Sequence, residues 1–94
     1  MDDAAKLQML KADLQLLTAA NDLYLGKLLE QAAVAISQEG ILLGNDVQSS
    51  MVQVQYAAYL FRKRAAPDAS MPRFLRYQLN NMIFSQKGAA QDDV

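Results

Sequence analysis

The hydrophobic positions between residues 47 and 64 recur on two faces of one predicted helix. At about 100° per residue, Val54 and Phe61 fall on one face, and Val52 and Tyr56 fall on another. A helix that is apolar on nearly all sides needs neighbours on several sides to keep water away from it. The pattern therefore predicts the central helix of a small all-α bundle.

Two amphipathic helices are predicted before this segment. Leucines three or four residues apart indicate a first helix over about residues 3 to 16, and a second apolar stripe indicates a helix over about residues 22 to 39. The second helix contains Gly26 and several alanines, which allow backbones to approach, so we expect tight packing against the central helix. Gly40 followed by Ile41 is typical of a helix that ends in a left-handed residue.

A short loop with apolar residues joins the second helix to the central one. It covers residues 41 to 46 and ends in Asp46, whose side chain can cap the central helix. Apolar side chains in a loop either fold into the protein's own core or form a contact surface. Leu42 and Leu43 are therefore candidate interface residues, with burial in the core as the alternative.

A fourth amphipathic helix is predicted after a short connector. Ser70 can cap this helix, Pro72 is tolerated in its first turn, and its pattern ends near Gln86. We expect one helical domain of about four helices over residues 1–88 and a flexible C-terminal tail over residues 89–94. The predicted core residues of the bundle are Leu25, Leu28, Leu29, Met51, Val54, Phe61, Leu75 and Leu79.

Length and composition restrict the possible functions. A chain of 94 residues is long enough for one domain with a modest core, and 52% hydrophobic residues with 20% charged residues is ordinary globular composition. The chain has no cysteine and no histidine, which excludes the usual zinc sites, disulfides and a serine-histidine triad. The acidic start and the lack of a long apolar run predict a cytoplasmic protein without a membrane span. We also expect no cofactor.

Carboxylate pairs are the remaining candidates for catalytic chemistry. Asp2 and Asp3 lie at one end of the sequence, and Asp92 and Asp93 lie at the other. Acid-base catalysis needs carboxyl groups held in environments that separate their pKa values, which chain ends do not provide. The sequence also lacks a glycine-rich phosphate loop and a dinucleotide-binding fingerprint. We therefore predict that the protein is not an enzyme.

The two halves of the chain carry opposite charge. Residues 1 to 50 contain three basic and seven acidic residues, a net charge of −4, whereas residues 51 to 94 contain six basic and three acidic residues, a net charge of +3. Such a chain can meet copies of itself head to tail or bind an acidic partner through its second half. The alternative is a solvated surface on which the charges happen to segregate.

Five basic residues are expected to gather at one corner of the bundle. They close the central helix and open the fourth: Arg62, Lys63, Arg64, Arg73 and Arg76. Such a cluster can neutralise phosphates, or it can pair with carboxylates of another protein through bidentate arginine contacts. Basic residues at a helix C-terminus also stabilise the helix dipole without any partner. The cluster is nevertheless our main candidate for a protein interface.

The order of several motifs resembles one family of small helical proteins. A Leu-Lys-x-x-Leu motif at residues 10 to 14 precedes a leucine-rich helix that ends in glycine. A Tyr-Ala-Ala-x-Leu helix at residues 56 to 64 finishes in basic residues, and Met-Pro then precedes a last helix with Leu79 and Asn80. This arrangement, over about residues 6 to 87, is similar to the head-to-tail connector, or adaptor, proteins of tailed bacteriophages and prophages.

The resemblance implies a structural role in the virion. Such proteins form oligomeric rings, commonly of twelve subunits, that dock on the portal protein beneath the DNA-filled head. The ring extends the DNA channel and is the platform for a stopper or tail-completion protein, and genomic DNA passes through its lumen without sequence-specific binding. The resemblance therefore implies head-tail joining after DNA packaging, no catalysis, and location in the virion after assembly in the host cytoplasm.

The alternative function is a small helical nucleic-acid-binding regulator that uses the same basic corner, from Arg62 to Arg76. Its binding to DNA would fall steeply with salt, because each neutralised phosphate releases counterions. The net charge of −1 makes the chain a poor electrostatic partner for DNA. The fourth predicted helix also lacks a run of polar residues suited to reading base edges.

Overall fold

Four α-helices form where the hydrophobic periodicity predicts them. The computed structural model describes the backbone of residues 1–92 and the side chains of residues 1–86. The helices are α1 (Asp3–Leu14), α2 (Asp22–Gln38), α3 (Val47–Ala65) and α4 (Arg73–Asp92). No strand occurs among residues 1–92. The predicted all-α fold with four helices is therefore confirmed.

Aspartate side chains fix the starts of two helices. The Asp2 carboxylate accepts a hydrogen bond from the Ala5 backbone N–H at 2.8 Å and caps α1. Asp46 caps α3, as predicted, because its carboxylate accepts hydrogen bonds from the backbone N–H and the hydroxyl of Ser49, at 3.1 and 2.8 Å. These bonds favour the charged carboxylate and hold the pKa of Asp46 below its usual value.

Three helix ends differ from the prediction. α1 stops at Leu14 because Gln15 adopts a left-handed conformation, with φ of 58°, and the N–H groups of Gln15 and Leu16 bond back to the last turn. α4 begins at Arg73, and the carbonyl of Pro72, outside the helix, accepts the first helical bond, so Ser70 is not the cap. α4 also continues past Gln86 to Asp92.

The predicted flexible tail over residues 89–94 is only partly covered by the structure. The backbone of α4 is helical through Asp92, so most of this segment belongs to a helix. Residues 93 and 94 lie outside the described residues. The flexibility of the tail stays a prediction.

α3 packs against all three other helices and divides the core into two clusters. The first cluster contains the fully or nearly fully buried side chains on the side of α1 and α2: Leu10, Leu25, Leu28, Leu29, Ala32, Val54, Ala57 and Ala58. The second cluster lies on the side of α4: Ile36, Ile41, Val52, Leu75, Leu79 and Met82. Tyr56 packs against both clusters. The two apolar faces predicted for the central helix are therefore both buried.

Six of the eight predicted core residues are buried, and two are not. Met51 and Phe61 are only half-buried. Phe61 lies in the last part of α3. Its ring contacts the Tyr24 ring, with 6.5 Å between centroids, and the Arg64 guanidinium. Phe61 is partly exposed because it lies near the end of the helix. Hydrophobic periodicity does not take the position along a helix into account.

Candidate protein interface

Two of the five predicted interface cations form ion pairs with carboxylates of the same chain. Arg76 makes a bidentate contact with Glu39, in which Nη1 donates to Oε1 at 2.7 Å and Nη2 donates to Oε2 at 3.0 Å. This carboxylate raises the pKa of Arg76. Arg62 Nη2 donates to Asp13 Oδ2 at 3.1 Å. Both arginines therefore connect the basic half of the chain to its acidic half.

Arg64 and Lys63 lie over aromatic rings at the end of α3. The guanidinium carbon of Arg64 is 4.3 Å from the Phe61 ring centroid and 5.1 Å from that of Tyr24. Lys63 Nζ lies 5.6 Å from the Tyr59 ring centroid. Such cation-π contacts are worth about 0.5–1 kcal/mol at exposed sites. These two residues cover apolar rings while their charges remain exposed to solvent.

The five cations do not share one set of contacts. Arg62 reaches the last turns of α1, whereas Arg76 reaches the C-cap of α2. Arg73 is exposed and makes no ion pair among the described side chains. It lines a shallow hollow of about 330 Å³ beside Tyr77. The use of these residues at an interface stays a prediction, and Arg73 is the one that the chain's own contacts leave most available.

The loop before α3 divides its apolar residues between the core and the surface. Ile41 is buried, and Leu43 is half-buried against the second cluster. Leu42, by contrast, is 82% exposed. Its backbone is held by the Gln86 side chain, because the Leu42 N–H donates to Gln86 Oε1 at 2.8 Å and Gln86 Nε2 donates to the Leu42 carbonyl at 2.9 Å. These two hydrogen bonds fix the loop to α4 while the Leu42 side chain faces solvent.

The outer side of α4 carries a row of exposed aromatic residues. Phe74, Tyr77 and Phe84 are 55%, 67% and 75% exposed, and their spacing, together with Asn81, places them on one face of the helix. We call Phe74, Tyr77, Asn81 and Phe84 the aromatic face. The residues of this face are not among the interface residues predicted from the sequence. The sequence nevertheless indicates the face, because α4 carries more large apolar residues than its buried stripe needs.

A groove open to solvent runs between α1 and α2. Its volume is about 370 Å³, and its walls are mostly apolar. The residues that define it are Asp3, Leu7, Asp22, Gly26, Glu30 and Gln53, and we call it the α1–α2 groove. Gln53 is buried at its base, where Nε2 donates to the carbonyl of Leu29 at 2.9 Å.

Two lysines pair with carboxylates along the rim of the α1–α2 groove. Lys11 Nζ lies 2.9 Å from Asp22, and Lys27 Nζ lies 3.5 Å from Glu30. Asp3 makes no ion pair among the described side chains, so it leaves the rim with an uncompensated negative charge. The position of Gly26 is open, because a Cβ atom added there would have no atom within 4 Å.

Among the described residues, the structure shows no cluster of three side chains that could hold a metal ion. None of the described helices is long and apolar enough to cross a membrane. Comparison of the chain with models of protein families, with curated proteins and with solved structures finds no match. The geometry of the surface therefore carries the functional argument.

Proposed function

We propose that this chain is a structural protein of a tailed-phage virion that forms an oligomeric ring between the portal of the DNA-filled head and the tail or stopper. The order of motifs over residues 6 to 87, which resembles that of head-to-tail connector proteins, motivates this proposal. The four-helix fold agrees with the few-helix fold that the similarity implies. In this role the protein extends the DNA channel and catalyses no reaction.

The observation that carries the proposal is the aromatic face of α4. Phe74, Tyr77 and Phe84 are exposed, although the chain has only seven aromatic residues in all. Aromatic residues are enriched at the centres of protein interfaces, and a helix with a second apolar face needs a second partner. Part of α4 is therefore available to another subunit or to the portal.

Uncompensated charges of opposite sign lie on different helices. Asp3 is in the first turn of α1, and Arg73 is in the first turn of α4. Both lie outside the ion pairs that the described side chains form within the chain. Complementary charges on neighbouring copies orient a head-to-tail contact, which closes a ring when the rotation between copies permits.

The geometry gives less support to a nucleic-acid-binding regulator. That function requires cations free to neutralise phosphates. Arg62 and Arg76 are engaged by Asp13 and Glu39, and Arg64 lies against two aromatic rings. An exposed row of aromatic and neutral residues is also a poor surface for a duplex, whose backbone is charged at every step.

Native mass spectrometry of the purified chain with the portal of its phage tests the proposal. We expect a complex in which several copies of the chain are bound to one portal. The same protein should give no salt-sensitive shift of short DNA duplexes in a gel. Absence of portal binding, together with tight duplex binding that falls with salt, would contradict the proposal and favour the regulator.

A pair of matched variants tests the role of the aromatic face in this assembly. Phe84→Ser removes an exposed apolar side chain from α4, and Val34→Ser removes a 56%-exposed one from α2. Neither change opens a cavity in the core, so both proteins should fold. We expect Phe84→Ser to weaken assembly with the portal and Val34→Ser to leave it intact. Equal behaviour of the two variants would remove the aromatic face from the argument.

A further inference from the structure

We infer that neighbouring copies of this chain meet by docking the aromatic face of α4 of one copy into the α1–α2 groove of the next. The inference rests on the proposed function, because it names the contact between copies in the proposed ring. It commits to a second copy of the same chain as the occupant of the groove. Size, position and charge of the two surfaces each support it.

The two surfaces lie on different sides of the molecule. α1 contributes to the first core cluster and α4 to the second, and the two clusters are on separate faces of α3. A copy that offers its aromatic face to one neighbour can therefore offer its groove to another. This is a heterologous contact, which propagates from copy to copy and generates a closed ring or an open filament.

The groove has the size and lining to receive aromatic side chains. It measures about 370 Å³ and has a largely apolar wall that includes Leu7 and Leu29. Because Gly26 has no side chain, the groove stays open at this position of α2. The exposed rings of Phe74, Tyr77 and Phe84 can enter it, and burial of one aromatic ring removes about 150–250 Å² from water.

The charges of the two surfaces are complementary. The groove rim carries Asp3, Asp22 and Glu30, of which the last two are partly compensated by lysines. The aromatic face is flanked by Arg73, and α4 contains no acidic residue before Asp92. Arg73 of one copy can therefore approach the carboxylates on the rim of another copy.

Pairing of the aromatic face with itself is the competing arrangement. A symmetric contact between two α4 helices would bring together two surfaces flanked by Arg73, which makes no ion pair among the described side chains, and α4 contains no acidic residue before Asp92. Like charges across an interface oppose association. The groove supplies the negative charge that α4 lacks, so it is the better partner for the aromatic face.

Cysteine cross-linking of purified protein tests the arrangement directly. The chain has no cysteine, so single cysteines at chosen positions give unambiguous products. We expect a mixture of Gly26→Cys and Asn81→Cys copies to form a mixed dimer, and a chain that carries both changes to form a ladder of higher oligomers. Asn81 lies on the aromatic face, and its replacement keeps all three rings. Each single variant alone should stay mostly uncross-linked. Efficient cross-linking of Asn81→Cys with itself would establish the symmetric contact instead and overturn the inference.

A blocked groove and a disabled aromatic face provide a second test. Gly26→Trp fills the groove, whereas Gly26→Ala adds only a methyl group, and both favour the helix relative to glycine. We expect Gly26→Trp and Tyr77→Glu each to weaken self-association about 30-fold or more in analytical ultracentrifugation. Gly26→Ala should associate as the natural chain does. Circular dichroism of each variant verifies that the helices are retained.

Mixing the two disabled variants distinguishes a heterologous contact from a symmetric one. A Gly26→Trp copy keeps its aromatic face, and a Tyr77→Glu copy keeps its groove, so one functional contact remains between them. We expect the mixture to form a dimer and nothing larger. Self-association of Gly26→Trp alone that equals that of the natural chain would show that the groove is not used and would overturn the inference.

These measurements need no portal, so they separate the inference from the proposed function. Cross-linked ladders from a protein that binds no portal would keep the contact and reject the connector role. Portal binding without cross-linking between positions 26 and 81, either in solution or on the portal, would keep the role and reject this contact.

Discussion

The two core clusters on either side of α3 are equally well buried at their centres but differ in how they are completed. Leu25 in the first and Leu79 in the second both have no exposed surface. Residues of three helices form each cluster, but all three helices pack against one another around the first, whereas α4 has α3 as its principal helical neighbour in the second. A helix with one principal neighbour has part of its surface left over, and on α4 this remaining surface is aromatic.

Polar contacts hold α4 near both ends of the segment, residues 73–86, whose side chains the structure describes. Arg76 binds Glu39 at the end of α2, and Gln86 binds both backbone groups of Leu42. Polar contacts also join the helices around the first cluster, where Gln53 donates to the Leu29 carbonyl, Lys11 pairs with Asp22 and Arg62 pairs with Asp13. The two sides of α3 therefore differ mainly in helix packing, because α1, α2 and α3 all pack against one another, whereas α4 packs mainly against α3.

Truncation of Leu25 should have the largest effect. Leu25→Ala removes a fully buried side chain from the cluster that joins three helices, so we expect the free energy of unfolding to fall by about 3 kcal/mol. Urea denaturation followed by circular dichroism measures the change. Leu23→Ala, at an 82%-exposed position of the same helix, is the control and should change it by less than about 0.5 kcal/mol. Similar values for the two variants would show that the first cluster is not the main core.

Truncation of Leu79 should have a smaller and more local effect. Leu79→Ala leaves a cavity where α4 packs mainly against α3, and we expect a loss of about 2 kcal/mol. Hydrogen exchange should become faster in α4 before it does in α1, because α4 can separate from α3 without opening the first cluster. Equal acceleration in all four helices would show that both clusters unfold as one unit and that the contrast between them has no energetic meaning.

The two-sided burial of α3 was predictable from the sequence, whereas the exact helix ends were not. Val52 and Val54 point to opposite sides at helical spacing, and the structure places them in separate clusters. Gln15 ends α1 in a left-handed conformation that glycine usually adopts. Because this residue is a glutamine, the sequence does not indicate that the helix ends there. The end is set by local and tertiary hydrogen bonds, which periodicity cannot register.

The charges of the candidate site were predictable, but their partners were not. Arg76 was recognised as a possible bidentate ligand of a carboxylate, yet its partner in the structure is Glu39, 37 positions away in the same chain. Finding that partner requires the relative placement of α2 and α4. The aromatic face is different, because the spacing of Phe74, Tyr77 and Phe84 is visible in the sequence and needs only the knowledge that α4 buries its other side.

The contact between Arg76 and Glu39 should contribute modestly to the position of α4. A double-mutant cycle with Arg76→Gln and Glu39→Gln should give a coupling free energy of about 0.5–1 kcal/mol, because both side chains keep contact with solvent. High salt should reduce it. The pair Lys27 and Glu30, at 3.5 Å and more exposed, is the control and should couple more weakly. A coupling no larger than that of the control would mean that the Arg76–Glu39 pair does not help to hold α4 in place.

Ionisation of Tyr56, which packs against both clusters, should have the smallest effect on the free energy of unfolding, and only at alkaline pH. Burial, with the nearby Glu39 carboxylate as a secondary cause, raises the pKa of Tyr56 above its ordinary value of 10.0. The folded chain therefore holds the phenolic proton more tightly than the unfolded chain does. Titration of Tyr56 leaves the free energy of unfolding unchanged below pH 10 and lowers it as the pH rises through the folded pKa.

Tyr56→Phe isolates this contribution, because the two proteins differ only in the hydroxyl group of residue 56. We expect urea midpoints of the two proteins to change in parallel up to about pH 9 and the natural chain to lose more stability by about pH 11. The extra loss reports on the junction of the two clusters, where a charged phenolate would be poorly solvated. Parallel curves up to about pH 11 would mean that water reaches Tyr56 freely and that the clusters are less closely joined at this point than their packing indicates.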